Sequence, residues 1–411
     1  MQMKNSSNYH IFDYIVIGKG LMGAAAARYL SQISANVAVI GPDEPEDYAS
    51  HPGVFGSHYD QGRITRRLSG DVVWSALAMR AMEQYRLLER RSGLLFYRPV
   101  GCLFVAPPAD PYFEDVVKTA VPLHVDYTAY AQADLRTAFP FLHFPAETAA
   151  LFEPDPAGYI HPREMVRAQL RVAVSQGARV VREAVTAVAP VSSGVIITTE
   201  SGQVFWTRKA LVAAGAFSNC YDLLPERLPL RVKTETVLLA RLPESEARRL
   251  EKMPSVVYKM RSAALDSIYM LPPIRYPDGQ VYVKLGANTA ADQWPEDLAQ
   301  MREWMIRGDG DVLKGDMVAA MTAVLPGLAA EAFVTKRCLV AYTPHGRPFI
   351  DQVGEHLFVA AGGNGSAAKS SDTIGWLAAN LMQAGNFPAG FRREDFAVGA
   401  DFGTQIKADG R

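Results

Sequence analysis

The chain has 411 residues, of which 49% are hydrophobic and 21% are charged, so it is long and apolar enough to build two or three globular domains. Its formal net charge of −1 argues against a strong overall attraction to nucleic acid or to an anionic membrane surface. No window reaches the roughly 18 apolar residues that a membrane-spanning helix needs, so a membrane protein is not expected either.

The cysteines and the N-terminal sequence bear on the cellular compartment. Cys102, Cys220 and Cys338 lie far apart and show no CxxC or metal-ligand spacing, which argues against a disulfide framework and favours a reducing environment. The first apolar run, "IFDYIVIG", is short and is interrupted by Asp13, unlike the core of a signal peptide. We therefore expect a cytoplasmic protein, a monomer or small homo-oligomer, that has no nucleic-acid or membrane partner.

The first predicted element is a buried strand at residues 13–18, followed by a glycine-rich turn and a helix with an alanine-rich face. The turn reads Gly18-x-Gly20-x-x-Gly23. In such a turn the first glycine permits the tight bend, the second lets the backbone approach a pyrophosphate, and the third allows close packing of helix on strand. The helix N-terminus then offers free N–H groups and a partial positive charge. Strand, turn and helix in this order predict a dinucleotide-binding loop.

The second predicted strand, residues 36–41, ends without the carboxylate that commonly holds the ribose hydroxyls in such folds. Gly41 and Pro42 stand at that point. We expect Asp43 or Glu44 to take over through a small shift of the loop. This departure weakens the prediction of a nicotinamide enzyme, and it is compatible with another dinucleotide that is held by other contacts.

The next notable segment is "GSHYDQGRITRRLSG", residues 56–70. Arg63, Arg66 and Arg67 stand close together in it. Such a cluster either holds an anion or lies on a solvated face. The near-neutral net charge disfavours the nucleic-acid backbone as that anion. From these residues alone, a bound anion and a solvated face both stay open.

Later elements complete a mixed pattern. An amphipathic helix is expected to begin near Pro162, and "GQVYVKLGA" (279–287), after the turn signal "YPDG", predicts an antiparallel strand. Apolar runs at 209–215 and 356–363 share with the first two runs a β-branched content and a final glycine, which is typical of parallel strands buried on both faces. Because the four runs are scattered, we predict a mixed α/β (α+β) fold. In it a Rossmann-like dinucleotide-binding domain is interleaved with a domain built on an antiparallel sheet.

Five blocks of the sequence, taken together and in this order, are similar to a known family. They are "YIVIGKGLMG" (14–23), "GSHYDQGRITR" (56–66), "KALVAAGAFSNCYDLLP" (209–225), "VYVKLG" (281–286) and "RCLVAYTPHGRPFIDQVGEHLFVAAGGNGSAAKSS" (337–371). On these blocks the chain resembles the FAD-dependent amine and amino-acid oxidases of the sarcosine oxidase type, within the D-amino-acid oxidase superfamily. The likeness extends over nearly the whole chain and implies FAD as the cofactor.

The resemblance implies a discontinuous FAD-binding domain and an interleaved substrate domain. The FAD-binding domain would comprise residues 10–97, 153–226 and 333–400, and the substrate domain residues 98–152 and 227–332. The implied cofactor contacts are Gly18, Gly20, Leu21, Met22, Gly23, Asp43, Ser57, His58, Arg63, Ile64, Val185, Gly215, Cys338, Gly365, Ser366 and Lys369.

The resemblance also implies roles for individual side chains. By it, Arg63 lies against the flavin, whereas Arg66 and Lys369 bind the carboxylate of the substrate. Tyr59 stands where sarcosine oxidases carry a histidine beside the flavin ring, and we count it among the catalytic residues. Lys284 stands where the family places its oxygen-activating lysine. From the residues alone, an ordinary lysine on an exposed strand face is the alternative.

Cys338 opens the fifth block, at the position where sarcosine oxidases bond the flavin covalently. The resemblance thus implies a covalent link to FAD, and a buried free thiol is the alternative. Ser366 departs from the family, which carries a histidine near the substrate at this position. The departure leaves the substrate open.

Further candidates for substrate contacts lie in the segment before "VYVKLG". Tyr258 and Tyr269 stand where the family's pocket receives aromatic residues, although either could equally be a core residue. Arg261 is a candidate partner for a second carboxylate on the substrate, because an unpaired buried charge is costly. Arg67 is expected to be a solvated or structural partner rather than a substrate contact.

The resemblance predicts an oxidase that converts the C–N bond of a small amino acid to an imine, which water hydrolyses, and that reduces O2 to H2O2. N-substituted glycines such as sarcosine or iminodiacetate are the first expected substrates, followed by cyclic imino acids such as proline or pipecolate, and then D-amino acids. The alternatives are a dehydrogenase that passes electrons to a quinone or a protein, a flavoprotein without turnover, and a nicotinamide-linked reductase. No motif in the sequence predicts a metal site or a hydrolase.

Overall fold

The computed structural model describes residues 10–51 and 53–399. Residues 1–9, on which part of the signal-peptide prediction rests, and residue 400, the last of the implied FAD-binding domain, lie outside the described residues. Within the described ranges, no helix combines the length and the apolar character needed to cross a membrane.

Strands and helices are intermixed along the chain. The strands are β1 (His10–Ile17), β2 (Val37–Ile40), β3 (Arg63–Thr65), β4 (Tyr97–Arg98), β5 (Cys102–Ala106), β6 (Thr128–Tyr130), β7 (Ala149–Glu153), β8 (Gly158–Ile160), β9 (Arg179–Val181), β10 (Val185–Val191), β11 (Gly194–Thr199), β12 (Val204–Val212), β13 (Arg231–Leu242), β14 (Ser255–Tyr258), β15 (Leu265–Arg275), β16 (Val281–Thr289), β17 (Ala332–Tyr342), β18 (Phe349–Gln352) and β19 (Leu357–Ala361). The helices are α1 (Leu21–Leu30), α2 (Val72–Ser92), α3 (Pro111–Ala120), α4 (Gln132–Ala138), α5 (Pro162–Ser175), α6 (Glu244–Arg249), α7 (Leu298–Arg307), α8 (Lys314–Val324) and α9 (Ala367–Ala384).

The first large sheet contains the four glycine-terminated apolar runs. Its order is β10-β11-β12-β1-β2-β9. β19 pairs with β12 on the same side as β11, and β18 pairs with β19. β1 is parallel to both β12 and β2, and β12 is parallel to β19. Every residue of β2 and β19 is buried. The predicted parallel sheet, assembled from distant segments, is therefore confirmed.

The second large sheet has the order β17-β13-β16-β15-β14-β5-β7-β6. Its neighbours are antiparallel except for β14 and β5, which run parallel. β16 contains the strand predicted at 279–287, and its partner β15 is antiparallel, as expected from the turn signal. A small third sheet, β3-β8-β4, includes Arg63–Thr65. The mixed α/β architecture agrees with the predicted fold class, whereas the domain boundaries stay a prediction.

Helices α1, α5 and α9 are joined by a buried polar cluster around Asp372 of α9. Its carboxylate accepts hydrogen bonds from Arg28 Nη2 at 2.7 Å, the Tyr29 hydroxyl at 2.6 Å and Gln169 Nε2 at 2.8 Å. Gly375 permits close helix packing, because a Cβ there would lie 2.5 Å from an alanine of α1. Removing one partner of a buried ion pair is strongly destabilising. The cluster therefore fixes α1 relative to α9, and both helices begin at the same cavity.

Candidate active site

A cavity of about 800 Å³ opens at the carboxyl ends of the parallel strands β1, β2 and β12. Open α/β sheets bind ligands at this edge. The cavity wall continues along the segment after β2, the start of α9, and parts of β13, β15 and β17 from the second sheet. The cavity therefore contacts both large sheets.

Most of the residues implied as cofactor contacts line this cavity. They are Gly18, Gly20, Leu21, Met22, Ser57, His58, Arg63, Ile64, Val185, Gly215, Cys338, Gly365, Ser366 and Lys369. Tyr59, Arg66 and Tyr269 line it too. Five of the predicted site residues do not line the cavity, and their positions are described below: Gly23, Asp43, Lys284, Tyr258 and Arg261.

The glycine loop is packed as its spacing predicts. Gly18 has φ +100°, and a Cβ there would lie 2.4 Å from the carbonyl oxygen of Ala213. A Cβ on Gly23 would lie 1.8 Å from the carbonyl oxygen of Gly18, so Gly23 supports the loop from behind instead of lining the cavity. Helix α1 carries no acidic residue in its first turn. Its positive end is thus available to an anion at Gly20.

The missing ribose carboxylate has a steric reason. A Cβ on Gly41 would lie 2.9 Å from the backbone nitrogen of Lys19, which leaves no room for a longer side chain. Asp43 is exposed and pairs with Lys19 and, at 3.2 Å, with Arg182. Glu44 lines the cavity and accepts a 2.6 Å hydrogen bond from Arg163 Nε. Of the two carboxylates expected to replace the missing one, Glu44 lines the cavity and Asp43 does not, so Glu44 is the better placed.

The three clustered arginines occupy two different environments. Arg63 and Arg66 line the cavity, whereas Arg67 points to the fully buried Glu153 on β7. Glu153 accepts hydrogen bonds from Arg67 Nε at 2.8 Å and from the backbone N–H groups of Arg67 and Leu68 at 3.0 Å. Arg67 is thus a structural partner that holds the segment in place.

Arg66 and Lys369 come from distant parts of the chain and are both buried in the cavity wall. Tyr85 of α2 connects their backbone segments: its hydroxyl donates to the carbonyl oxygen of Lys369 at 2.6 Å and lies 3.4 Å from Thr65 Oγ1. Tyr85 was not predicted from the sequence. The side chain lies in the interior of a long helix, and no local pattern distinguishes it from an ordinary core tyrosine.

Lys284 is fully buried one layer behind the cavity wall. Its Nζ donates to Asp60 Oδ2 at 2.6 Å and to the carbonyl oxygen of Gly62 at 3.0 Å. Asp60, which lines the cavity, also pairs with Arg63 and accepts a 3.0 Å hydrogen bond from the Tyr276 hydroxyl. Burial, and then the nearby Arg63, lower the pKa of Lys284, while the Asp60 carboxylate opposes this by favouring the charged ammonium.

Asp60 was not predicted from the sequence either. The available signal was a carboxylate three residues before Arg63, in a segment otherwise rich in cations. Only the fold brings β16 behind this segment, so the contact with Lys284 could not be read from spacing.

Cys338 and Tyr269 lie in the wall formed by the second sheet. The Sγ of Cys338 is 3.7 Å from Arg63 Nη2, and burial raises the pKa of the thiol. Burial also raises the pKa of Tyr269, so its hydroxyl is neutral at physiological pH. The ring lies across the neighbouring strand at Gly286, where a Cβ would come within 2.2 Å of it.

His58 and Tyr59, from the segment 56–70, also line the cavity. Burial lowers the pKa of His58 to about 4, so the ring is neutral at pH 7. The hydroxyl of Tyr59 donates to the carbonyl oxygen of Asp43 at 3.2 Å. His58 and Tyr59 therefore offer neutral polar surface, not charge, to a cofactor.

Two predicted substrate contacts lie elsewhere. Tyr258 is in the hydrophobic core, with its ring centroid 5.2 Å from that of Phe144. Arg261 forms ion pairs with Asp110 and Asp266 outside the cavity. Side chains alternate between the two faces of a strand, so β14 turns Tyr258 away from the cavity.

The same alternation brings Val257 and Lys259 to the cavity wall instead. Lys259 was not predicted from the sequence. The alternating pattern of β14, which precedes Lys259, shows which residues share a face of the strand. It does not show which of the two faces meets the cavity.

The residues present fit FAD. The glycine loop and the positive end of α1 suit a diphosphate, Glu44 suits a ribose, and the cavity has the size of a nucleotide cofactor site. Among the described residues, no group of three or more His, Cys, Asp and Glu side chains is arranged to hold a metal ion.

The family of the chain follows from its sequence match. The model of the DAO family, described as FAD dependent oxidoreductase, matches residues 13–381. The chain belongs to this family. The resemblance recognised from the five sequence blocks is therefore confirmed, and FAD is the cofactor of this FAD-dependent oxidoreductase.

Similar proteins within this family of FAD-dependent oxidoreductases include several oxidases. The chain is 27% identical over 216 residues to N-methyl-L-tryptophan oxidase of Yersinia pestis (strain Pestoides F), which is 52% of this chain and 56% of that relative. The match thus spans a little over half of the relative's length.

Two solved structures share the fold over almost the whole chain. NikD, an unusual amino acid oxidase essential for nikkomycin biosynthesis, superposes in its open form with a TM-score of 0.72 and 19% identity, covering 95% of this chain and 98% of NikD. Iminodiacetate oxidase from Chelativorans sp. BNC1 gives a TM-score of 0.70 and 22% identity, covering 94% and 98%. At these identities the likeness establishes the fold alone.

Proposed function

We propose that this protein is an FAD-dependent oxidase of a small amino acid that bears a primary or secondary amine. One observation carries the proposal: Arg66 and Lys369, from distant segments, line the same cavity as the glycine loop of the nucleotide site. Two cations beside a flavin site suit a substrate that presents a carboxylate. The oxidase activities of the similar proteins point in the same direction.

In this proposal FAD, when bound, supplies the two-electron oxidation that turns the amine into an imine, and water then hydrolyses the imine. The glycine loop and Glu44 hold the nucleotide. Arg66 and Lys369 hold the substrate carboxylate and so orient the C–H bond next to nitrogen. Orientation of this kind can contribute up to about 7–11 kcal/mol to the lowering of a reaction barrier. The planar fork of an arginine suits the carboxylate because it can bond both oxygens.

Lys284 is proposed to assist the return of electrons to O2, which becomes H2O2. A fixed ammonium stabilises the negative charge that develops on oxygen. We include Asp60 in this proposal, because its carboxylate lies 2.6 Å from Lys284 Nζ.

A dehydrogenase is the second candidate function. The same contact between Asp60 and Lys284 favours it, since the carboxylate offsets the charge of Lys284 and the lysine does not line the cavity. In that case electrons would pass to a quinone or a protein instead of O2.

N-substituted glycines remain the first proposed substrates, with cyclic imino acids and D-amino acids after them. The test is peroxide production in air with sarcosine, iminodiacetate, L-proline, D-proline and D-alanine. Arg66→Met should raise the KM of the active substrate about 10- to 100-fold by removing charge-assisted hydrogen bonds. Arg90→Met, on an exposed position of α2, is the matched control.

Peroxide from at least one substrate, with a raised KM in Arg66→Met alone, would support the oxidase. Reduction of an artificial electron acceptor without peroxide would favour the dehydrogenase.

A further inference from the structure

The cavity wall carries more positive than negative charge. Among the described residues, eight lysine and arginine side chains line it, against four carboxylates. The diphosphate of FAD accounts for two negative charges and a substrate carboxylate for a third. A net positive charge therefore remains for a further anionic group.

Three of the four lining carboxylates lie beside residues of the cofactor site, and the fourth, Asp278, is exposed at the cavity edge. Glu44 binds Arg163, and Asp60 binds Lys284 and Arg63. Glu235 stands opposite Cys338 in the pairing of β13 with β17. Most of the negative charge of the wall is thus placed where the cofactor is expected.

Lys259 is placed differently. It follows β14, its backbone N–H donates to the carbonyl oxygen of Val105 at 3.0 Å, and its side chain is 5% exposed in the cavity wall. Its Nζ lies 4.7 Å from the ring centroid of Tyr112, which also lines the cavity. Tyr112 in turn packs at Gly70, close in sequence to Arg66. Lys259 and Arg66 therefore line the same cavity, and Tyr112 contacts both Lys259 and the segment that follows Arg66.

The neighbouring wall is polar as well. Ser267 and Asn288, from β15 and β16, both line the cavity, and Asn288 Nδ2 donates to Ser267 Oγ at 2.9 Å. An ammonium, a hydroxyl and an amide together suit a hydrogen-bonding anion and do not suit an apolar substituent. An ammonium in the cavity wall attracts an anionic ligand that enters the cavity.

We propose that Lys259 binds a second anionic group of the substrate, so that the enzyme prefers an amino acid whose nitrogen substituent or side chain carries another carboxylate. This inference rests on the proposed function and names the substrate class of that site. It also gives Lys259 the role that the sequence analysis expected for Arg261, which the structure places in ion pairs outside the cavity.

The test compares iminodiacetate with its monoamide, N-(carbamoylmethyl)glycine, which has nearly the same size but lacks the second charge. In the wild-type enzyme, kcat/KM for iminodiacetate should exceed that for the monoamide by about tenfold or more. Lys259→Met keeps the length of the side chain, and it should reduce this ratio to near one, mainly through KM. Lys259→Arg should restore most of the ratio. Lys252→Met, at an exposed position, is the control and should keep the ratio.

A second measurement separates this inference from the proposed function. Thiodiacetate and (methylthio)acetate carry sulfur in place of the reacting nitrogen, and their binding is followed by the absorption change of the oxidised flavin. The wild-type protein should bind thiodiacetate about tenfold more tightly, and Lys259→Met should lose that preference.

If the wild type shows no preference for the charged member of either pair, or if Lys259→Met weakens both members equally, the inference is wrong. If no amino acid is oxidised but thiodiacetate binding still depends on Lys259, the proposed function fails and the anion subsite stands.

Discussion

At the scale of single residues, Asp60 connects the cavity to the buried lysine behind it. Its carboxylate contacts Lys284, Arg63 and the hydroxyl of Tyr276. Burial alone would favour a neutral Lys284, whereas a carboxylate at 2.6 Å favours the ammonium. Asp60 therefore raises the pKa of Lys284 relative to burial alone and extends the pH range in which Lys284 is charged, as an oxygen-activating role requires.

Asp60→Asn is expected to lower the pKa of Lys284, because the opposing carboxylate is gone while burial remains. A lysine with a lowered pKa is charged only at lower pH, so the reoxidation of reduced flavin by O2 should begin to slow at a lower pH than in the wild type. The rate is measured by stopped flow between about pH 6 and 9. Asp278→Asn, an exposed carboxylate at the cavity edge, is the control. An unchanged pH profile in Asp60→Asn would contradict this role.

Lys284→Met tests the lysine itself. Anaerobic reduction of the flavin by substrate should continue, while reoxidation by O2 should slow about a hundredfold, because the ammonium that stabilises charge on oxygen is removed. Lys252→Met is the surface control. Equal reoxidation rates in variant and wild type would exclude the assignment of Lys284, and slow reoxidation by O2 in both proteins would favour the dehydrogenase.

At the scale of elements, the segment that follows β3 is anchored by Glu153 of β7. Glu153 is fully buried and binds Arg67 through both its side chain and its backbone N–H. The contact with Glu153 turns the side chain of Arg67 away from the cavity, whereas Arg66 stays in the cavity wall.

Glu153→Gln is expected to destabilise the fold by about 3 kcal/mol, because it leaves the half-buried guanidinium of Arg67 without its carboxylate. Urea denaturation followed by tryptophan fluorescence measures the loss. Glu147→Gln, exposed in the loop before β7, should stay within about 0.5 kcal/mol of the wild type. A midpoint for Glu153→Gln equal to that of Glu147→Gln would show that the ion pair adds nothing to stability.

The elements also show what the sequence can and cannot predict. The apolar runs became β1, β2, β12 and β19, and α5 begins at Pro162 as expected, because hydrophobic period and turn residues are local signals. Tyr258 and Lys259 show the limit. The pairing of β14 with β5 and β15 decides which of its faces meets the cavity. The sequence of one strand does not identify the strands with which it pairs. Lys259 was missed for this reason, Asp60 because only the fold brings β16 behind its segment, and Tyr85 because it lies in the interior of a long helix.

At the scale of the whole molecule, the cavity depends on both large sheets. The glycine loop comes from the first sheet, and Cys338 comes from β17 of the second. A covalent bond between Cys338 and FAD would therefore link the two sheets through the cofactor. The thiol lines the cavity, as this link requires, and Arg63 beside it opposes the rise that burial causes in the pKa of the thiol.

The covalent link is tested by precipitation with acid. We expect the yellow colour to stay with the wild-type protein and to be released from Cys338→Ser, because acid unfolds the chain and frees a non-covalently held flavin. Cys220→Ser, a buried thiol away from the cavity wall, should retain the colour. Release of the flavin from the wild type would show that Cys338 is a free thiol.

The most direct test of the whole account is an anaerobic titration of the purified yellow protein with sarcosine, iminodiacetate, L-proline, D-proline and D-alanine. The account predicts that at least one of them bleaches the visible flavin band, and that admission of air restores the band with formation of H2O2. If dithionite bleaches the band but none of these amino acids does, the cavity does not oxidise small amino acids, and the central claim is contradicted.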